Sequence, residues 1–176
     1  MREMGLIHVY CGDGKGKTTA AMGLAMRASG VGMKVLIVQF LKGQETGELR
    51  SLALLPNVSV IRGNPSGKFS FQMDERELQH TYDLHTKNLL TAIEAARAGN
   101  CDLLILDEIM GALSASLIDE DLMHNFIEHK PESLELVLTG RNPPDWLLEK
   151  ASYISEICKR RHPYDQGIPA RRGIEL

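Results

Sequence analysis

Short apolar runs recur along the chain, each stopped by a turn signal and separated from the next by a helical pattern. Residues 6–10 (Leu-Ile-His-Val-Tyr) run into a glycine-rich turn and read as a buried strand. Residues 18–29 are rich in Ala, Leu and Met and end at Gly30, which predicts a helix with a natural stop. A second strand is expected around Val35-Leu36-Ile37-Val38 and a third at Val58-Ser59-Val60-Ile61; the mixed stretch 41–56 between them is compatible with a short helix. Over 74–98 the spacing is helical, with Leu78, Tyr82, Leu89, Leu90, Ile93 and Ala96 on a shared face and Gly99-Asn100 ending the run. Leu103-Leu104-Ile105-Leu106 is the cleanest buried strand and is followed at once by Asp107-Glu108. A helix over 119–129, a strand at 134–138, a helix over 144–151 and a strand at 153–157 complete the pattern, and the tail from Lys159 onward reads as irregular.

Apolar strands alternating with helices predict an α/β fold, a mostly parallel sheet with helices on both faces. In such sheets ligands gather at the carboxyl ends of the strands. The glycine-rich turn, Asp107-Glu108 and Thr139-Gly140-Arg141 each follow a strand directly, so all three are expected along one edge.

The turn itself carries the most specific chemistry. Gly12-Asp13-Gly14-Lys15-Gly16-Lys17-Thr18 is a phosphate-binding loop: glycines let successive backbone N–H groups curl around an anion, and the following helix adds its positive end. The Lys17 ammonium would reach the phosphates, and the Thr18 hydroxyl would serve Mg²⁺. The usual spacing places the first glycine one residue earlier, where this chain has Cys11; the intact Gly16-Lys17-Thr18-Thr19 keeps the reading. Asp107 and Glu108 are candidates for the metal, and spacing alone does not say which of them touches it. Arg141 should project over the site, whereas Arg27 by itself reads as a surface helix arginine. Phe69 and Phe71 flank Ser70 and would share a face; as a bare pair they read as core packing.

Composition narrows the rest. With 43% hydrophobic and 24% charged residues over 176 positions, the chain has the make-up of one globular domain spanning 1–176. The net charge of −3 gives no broad attraction to nucleic acid or anionic membrane, and Lys159-Arg160-Arg161 with Arg171-Arg172 is the one local basic cluster. Three well-separated cysteines suit neither a disulfide framework nor a zinc site and fit a reducing compartment. The first residues lack the apolar stretch of a signal peptide, and no apolar run is long enough to span a bilayer. The expectation is a cytoplasmic protein.

Taken together, these motifs resemble the P-loop-type ATP:corrinoid adenosyltransferases, over nearly the whole chain. The likeness rests on residues 12–21 with their shortened glycine spacing, on Gln39-Phe40-Leu41-Lys42-Gly43, Leu106-Asp107-Glu108 and Thr139-Gly140-Arg141, and on the closing segment 162–175. It implies a RecA-like P-loop NTPase domain in a homodimeric enzyme. The reaction it implies moves the 5′-deoxyadenosyl group of ATP onto the Co(I) of a reduced corrinoid, with triphosphate leaving. ATP would lie reversed in the cradle. By that likeness Lys17, Thr18 and Glu108 match phosphate and metal positions, and Arg27 and Arg141 match arginines near the phosphates. Phe69 and Phe71 match aromatics that keep an axial ligand off cobalt, one of which is commonly Trp in relatives. An external reductant such as a flavoprotein is implied as partner. Many relatives carry an N-terminal extension over the site; five residues precede the first strand here, so either the site is more open or another segment closes it. A small-molecule kinase and a nucleotide-dependent switch are the alternatives on the same scaffold.

Overall fold

The computed structural model describes residues 4–43, 45–63, 68 and 70–175. Six strands form one sheet: β1 (Ile7–Cys11), β2 (Val35–Gln39), β3 (Val58–Arg62), β4 (Leu103–Asp107), β5 (Glu135–Thr139) and β6 (Tyr153–Glu156). Their lateral order is β3-β2-β4-β5-β1-β6, and every pairing is parallel. The helices are α1 (Lys17–Gly30), α2 (Gly47–Leu52), α3 (Glu75–Arg97), α4 (Ile109–Ser114), α5 (Glu120–Glu128) and α6 (Asp145–Lys150), with 3₁₀ turns at Ser70–Gln72 and Pro163–Gln166. The expected strands and long helices are all present, with ends shifted by a residue or so. The helix α4 was not expected: six residues following an acid pair are too few to display a period.

Two apolar layers sandwich the sheet. On one face Val9, Leu36, Val38, Leu104, Leu106, Leu136 and Leu138 pack beneath Leu89 and Ile93 of α3 and Phe126 of α5. On the other, Ile37, Leu103, Ile105 and Val137 meet Ala21, Met22, Ala25 and Ala28 of α1. The small residues let α1 lie close to the sheet, which sets the loop before it directly over the strand ends. Strands β2 and β4 are buried along their whole length, as a parallel sheet covered on both faces requires.

The long helix α3 begins on a reciprocal cap. Asp74 Oδ1 accepts from Glu77 N at 2.9 Å, and Glu77 Oε2 accepts from Asp74 N at 3.0 Å. Its buried stripe is Thr81, His85, Asn88, Leu89, Ala92, Ile93 and Ala96. Leu90, expected on that face, is instead 42% exposed. One residue on from Leu89 is about 100° around the helix, and the polar Thr81, His85 and Asn88 take the inner positions that apolarity alone could not assign.

Candidate active site at the carboxyl edge of the sheet

The glycine-rich loop leaves β1 and enters α1. Gly12 and Gly16 have φ of 102° and 124°, values that favour glycine. A side chain at Gly12 would also collide with the Ile157 carbonyl, since its Cβ would lie 2.5 Å from that oxygen. The Gly14 N–H donates to the same carbonyl at 2.7 Å, so the stretch after β6 braces the loop from below. Lys17 Nζ folds back across the loop and donates to Gly12 O at 2.7 Å and Gly14 O at 2.8 Å. Burial pulls the Lys17 ammonium below its usual range, while the nearby Glu108 carboxylate pulls the other way.

Because β5 lies between β1 and β4, the loops after these three strands stand side by side. Asp107 is fully buried at the end of β4 and gathers four donors. Thr18 Oγ1 donates to its Oδ1 at 2.9 Å and Thr139 Oγ1 to the same oxygen at 2.7 Å. On Oδ2 it receives Lys42 Nζ at 2.6 Å and Gln39 Nε2 at 3.2 Å. Lys42 Nζ donates in addition to Thr18 Oγ1, at 2.9 Å. Thr139 in turn accepts the backbone N–H of Glu108 at 2.9 Å, which holds Glu108 in the left-handed region at φ 62°. Burial first, and the Asp107 charge second, push the Glu108 carboxyl above the usual carboxylate range.

These groups open onto a cavity of about 1050 Å³, lined among others by the loop from Asp13 to Thr19, Lys42, Glu108 and Arg141. The chain's tail forms another wall, through His162, Tyr164 and Glu175. Lys159 N donates to Asp13 Oδ1 at 2.8 Å, and Lys15 Nζ donates to Glu175 Oε1 at 3.0 Å. Arg171, with help from Lys15, draws the Glu175 carboxyl down to about 2. The tail expected to be irregular therefore folds back over the cradle as a held segment.

A family model described as ATP:corrinoid adenosyltransferase BtuR/CobO/CobP matches residues 3–176. The chain belongs to that family. The corrinoid adenosyltransferase of Sinorhizobium sp is 35% identical over 176 residues, covering 99% of this chain and 81% of that protein. Those of Pseudomonas aeruginosa and Escherichia coli K12 are 31% and 32% identical over 177 residues, covering 99% and 98% of this chain and 85% and 86% of theirs. Among solved structures, the cytoplasmic domain of the Thermomonospora curvata type VII secretion ATPase EccC aligns with a TM-score of 0.49 at 15% identity, over 95% of this chain and 22% of that one. Adenosyltransferases of this family transfer the adenosyl group of ATP to a corrinoid in adenosylcobalamin synthesis.

Against that chemistry, the expected residues divide. Lys17, Thr18, Thr19, Glu108 and Arg141 line one cavity, and Asp107 lies just behind it on Thr18. Arg27 does not join them. It is exposed on α1, ten residues beyond Lys17 and so about 15 Å along the axis, outside the cavity lining. Phe71 lies in the 3₁₀ turn before α3 with 81% of its surface exposed, so it is not a core residue; Phe69 falls outside the described residues. Lys42, Gln39 and Thr139 join Asp107 in the structure; the sequence reading singled out their segments but gave these three residues no role. The signal for them lay in position: Gln39 and Thr139 end strands, and Lys42 follows the turn after β2.

Below Lys42, His85 is fully buried and shares its ring between two backbone groups. Its Nδ1 lies 3.0 Å from Leu117 O, and its Nε2 accepts from Leu41 N at 3.4 Å, the pattern of a neutral ring with the proton on Nδ1. Burial lowers its pKa, so below pH 6.5 the unfolded chain takes up a proton that the native ring resists. Stability is therefore expected to fall as pH drops below 6.5, until the native ring itself titrates. Urea unfolding of His85→Gln between pH 7 and 5 should show a shallower loss than wild type. Parallel curves would exclude His85 as a source of the slope.

Proposed function

We propose that residues 12–18 hold the triphosphate of ATP while its 5′-deoxyadenosyl group passes to the Co(I) of a reduced corrinoid, with inorganic triphosphate as leaving group. The observation carrying this reading is that the glycine loop with Lys17, the Thr18–Asp107 pair and Arg141 converge at one cavity. Cobalt(I) is the nucleophile: its electron pair forms the Co–C5′ bond as the C5′–O bond breaks, and the cobalt becomes Co(III). No activated serine or cysteine is needed from the chain. What the chain must supply is alignment, and donors for the charge arriving on the triphosphate.

The backbone N–H groups of the loop and the start of α1 supply part of that charge stabilisation. Lys17 exchanges its two carbonyl partners for phosphate oxygens, and Arg141 adds a second cation from the β5 side. Thr18, Asp107 and Glu108 are hard oxygen donors suited to Mg²⁺, and the buried Gln39 Oε1, which has no hydrogen-bond partner among the described residues, is a further oxygen beside them. Mg²⁺, when bound there, would neutralise part of the triphosphate charge. Phe71, exposed in the turn three residues after the cavity-lining Lys68, is offered as a surface against which the corrinoid packs.

In the same reading the enzyme is a cytoplasmic homodimer that draws electrons for cobalt from an external reductant, such as a flavoprotein. Support for the dimer comes from β6, an edge strand exposed along its whole length, with Tyr153 and Ile154 each about half-exposed. Among the described residues no helix is long and apolar enough to cross a membrane.

Phosphorus NMR of the products separates the candidate reactions. With Mg·ATP and chemically reduced cobalamin, triphosphate should appear only when the corrinoid is present. ADP or free phosphate, with the corrinoid unchanged, would sink the adenosyl-transfer reading and favour a kinase or a switch.

A further inference from the structure

The segment Gln39-Phe40-Leu41-Lys42-Gly43 forms the wall of the cavity after β2, and its geometry is closely determined. Phe40 is fully buried, its N–H donates to Asp107 O at 2.9 Å, and its ring stands edge-on to His85 at 5.3 Å. Leu41 then takes a positive φ of 57° with its N–H on His85, and Arg62 Nη2 donates to Lys42 O at 3.2 Å. This turn brings the Lys42 ammonium to a point between Asp107 Oδ2 and Thr18 Oγ1.

That point lies between two hard oxygen donors of the kind Mg²⁺ takes. An ionised carboxylate offers about four acceptor sites, and Asp107 has all of them engaged, by Thr18, Thr139, Gln39 and Lys42. Thr18 gives its proton to Asp107 and accepts from Lys42, so one of its two hydroxyl lone pairs is already directed at the ammonium. Three of the four Asp107 partners are neutral and could remain beside a metal. Lys42 carries the same sign of charge as Mg²⁺ and could not. Its side chain is 27% exposed while that of Asp107 is wholly buried, so Lys42 is also the partner with somewhere to go.

We propose that Lys42 is a built-in counter-ion, holding the cation position between Thr18 and Asp107 and giving it up to Mg²⁺ only when Mg·ATP enters. This rests on the reading above, that the cavity takes a magnesium nucleotide. The physical basis is charge balance. A buried Asp107 beside Glu108 needs a cation in the resting protein. Free Mg²⁺ would have to eject the ammonium toward Glu108, a neighbouring carboxylate that the incoming metal attracts as well. The triphosphate supplies a further anion: Lys42 lines the same cavity and can turn to the phosphates as the metal takes its place. Metal loading and nucleotide loading thereby become one event.

The test is metal binding without turnover. In thermal unfolding, millimolar Mg²⁺ alone should leave the wild-type Tm unchanged, whereas Mg·ATP should raise it. In Lys42→Met, which keeps an unbranched apolar stem and removes the charge, Mg²⁺ alone should raise Tm by about 3 °C. Should that variant not fold, wild-type protein labelled with ¹⁵N at lysine Nζ answers the same question. The Lys42 resonance should stay in place with Mg²⁺ alone and move with Mg·ATP. A rise in wild-type Tm with Mg²⁺ alone, a Lys42→Met protein blind to Mg²⁺, or a Lys42 resonance unmoved by Mg·ATP would each overturn the exchange. A wild-type Tm that ignores Mg·ATP altogether would instead remove the nucleotide reading on which it rests.

Discussion

Replacing Lys17 by Ala is expected to lower turnover by about 10²–10³-fold while leaving the protein folded. Among the described residues the resting Lys17 serves two carbonyls of its own loop, Gly12 O and Gly14 O; Gly14 lines the water-accessible cavity and Gly12 is partly exposed. Losing those contacts leaves acceptors that water can satisfy, so the stability cost is small. In the reaction the same ammonium would face the oxygens that gain charge as the C5′–O bond breaks, an interaction stronger in the transition state than in the ground state. The loss should therefore appear in kcat at saturating ATP, measured with preformed Co(I) corrinoid so that cobalt reduction is not limiting. A variant with unchanged kcat and only a raised KM would make Lys17 a binding group without a part in bond breaking.

Asp107→Ala should be the more damaging change to the fold. It removes the acceptor of four donors at once, three of them from other strands or loops, and leaves Thr139, Gln39 and Lys42 without their common partner. Taking one member from a buried charged cluster typically costs about 3 kcal/mol, even with Lys42 able to turn toward solvent. For a chain of this size that is a Tm lower by roughly 10 °C. Asp107→Asn keeps one acceptor oxygen and should lose less, although its amide now faces donors. Calorimetry of both variants decides the point, and an Asp107→Ala protein melting with wild type would mean that the cluster contributes packing and little else.

Much of this architecture is written in local patterns. The apolar runs of the inner strands, the glycine loop and the acids after Leu106 are stretches in which neighbouring residues carry the information, because a buried strand needs consecutive apolar residues and a phosphate loop needs closely spaced glycines. Periodicity was a poorer guide where it had to choose between adjacent apolar positions, as at Leu89 and Leu90, or where the element was as short as α4.

The sequence by itself therefore determined the α/β layering, the glycine-rich loop ahead of α1 and the presence of an acid pair at the same edge of the sheet. Only the tertiary structure decided which groups meet there. Lys42 and Asp107 are 65 residues apart and come together because β2 and β4 are neighbours and the turn at Leu41 is held by His85. Thr139 reaches Asp107 because β5 separates β4 from β1. Helix length carries Arg27 away from the cradle, and the tail returns to it through Lys159 and Glu175. Such contacts follow from lateral strand order and side-chain reach, which burial and packing fix across the whole sheet and no single stretch of sequence encodes.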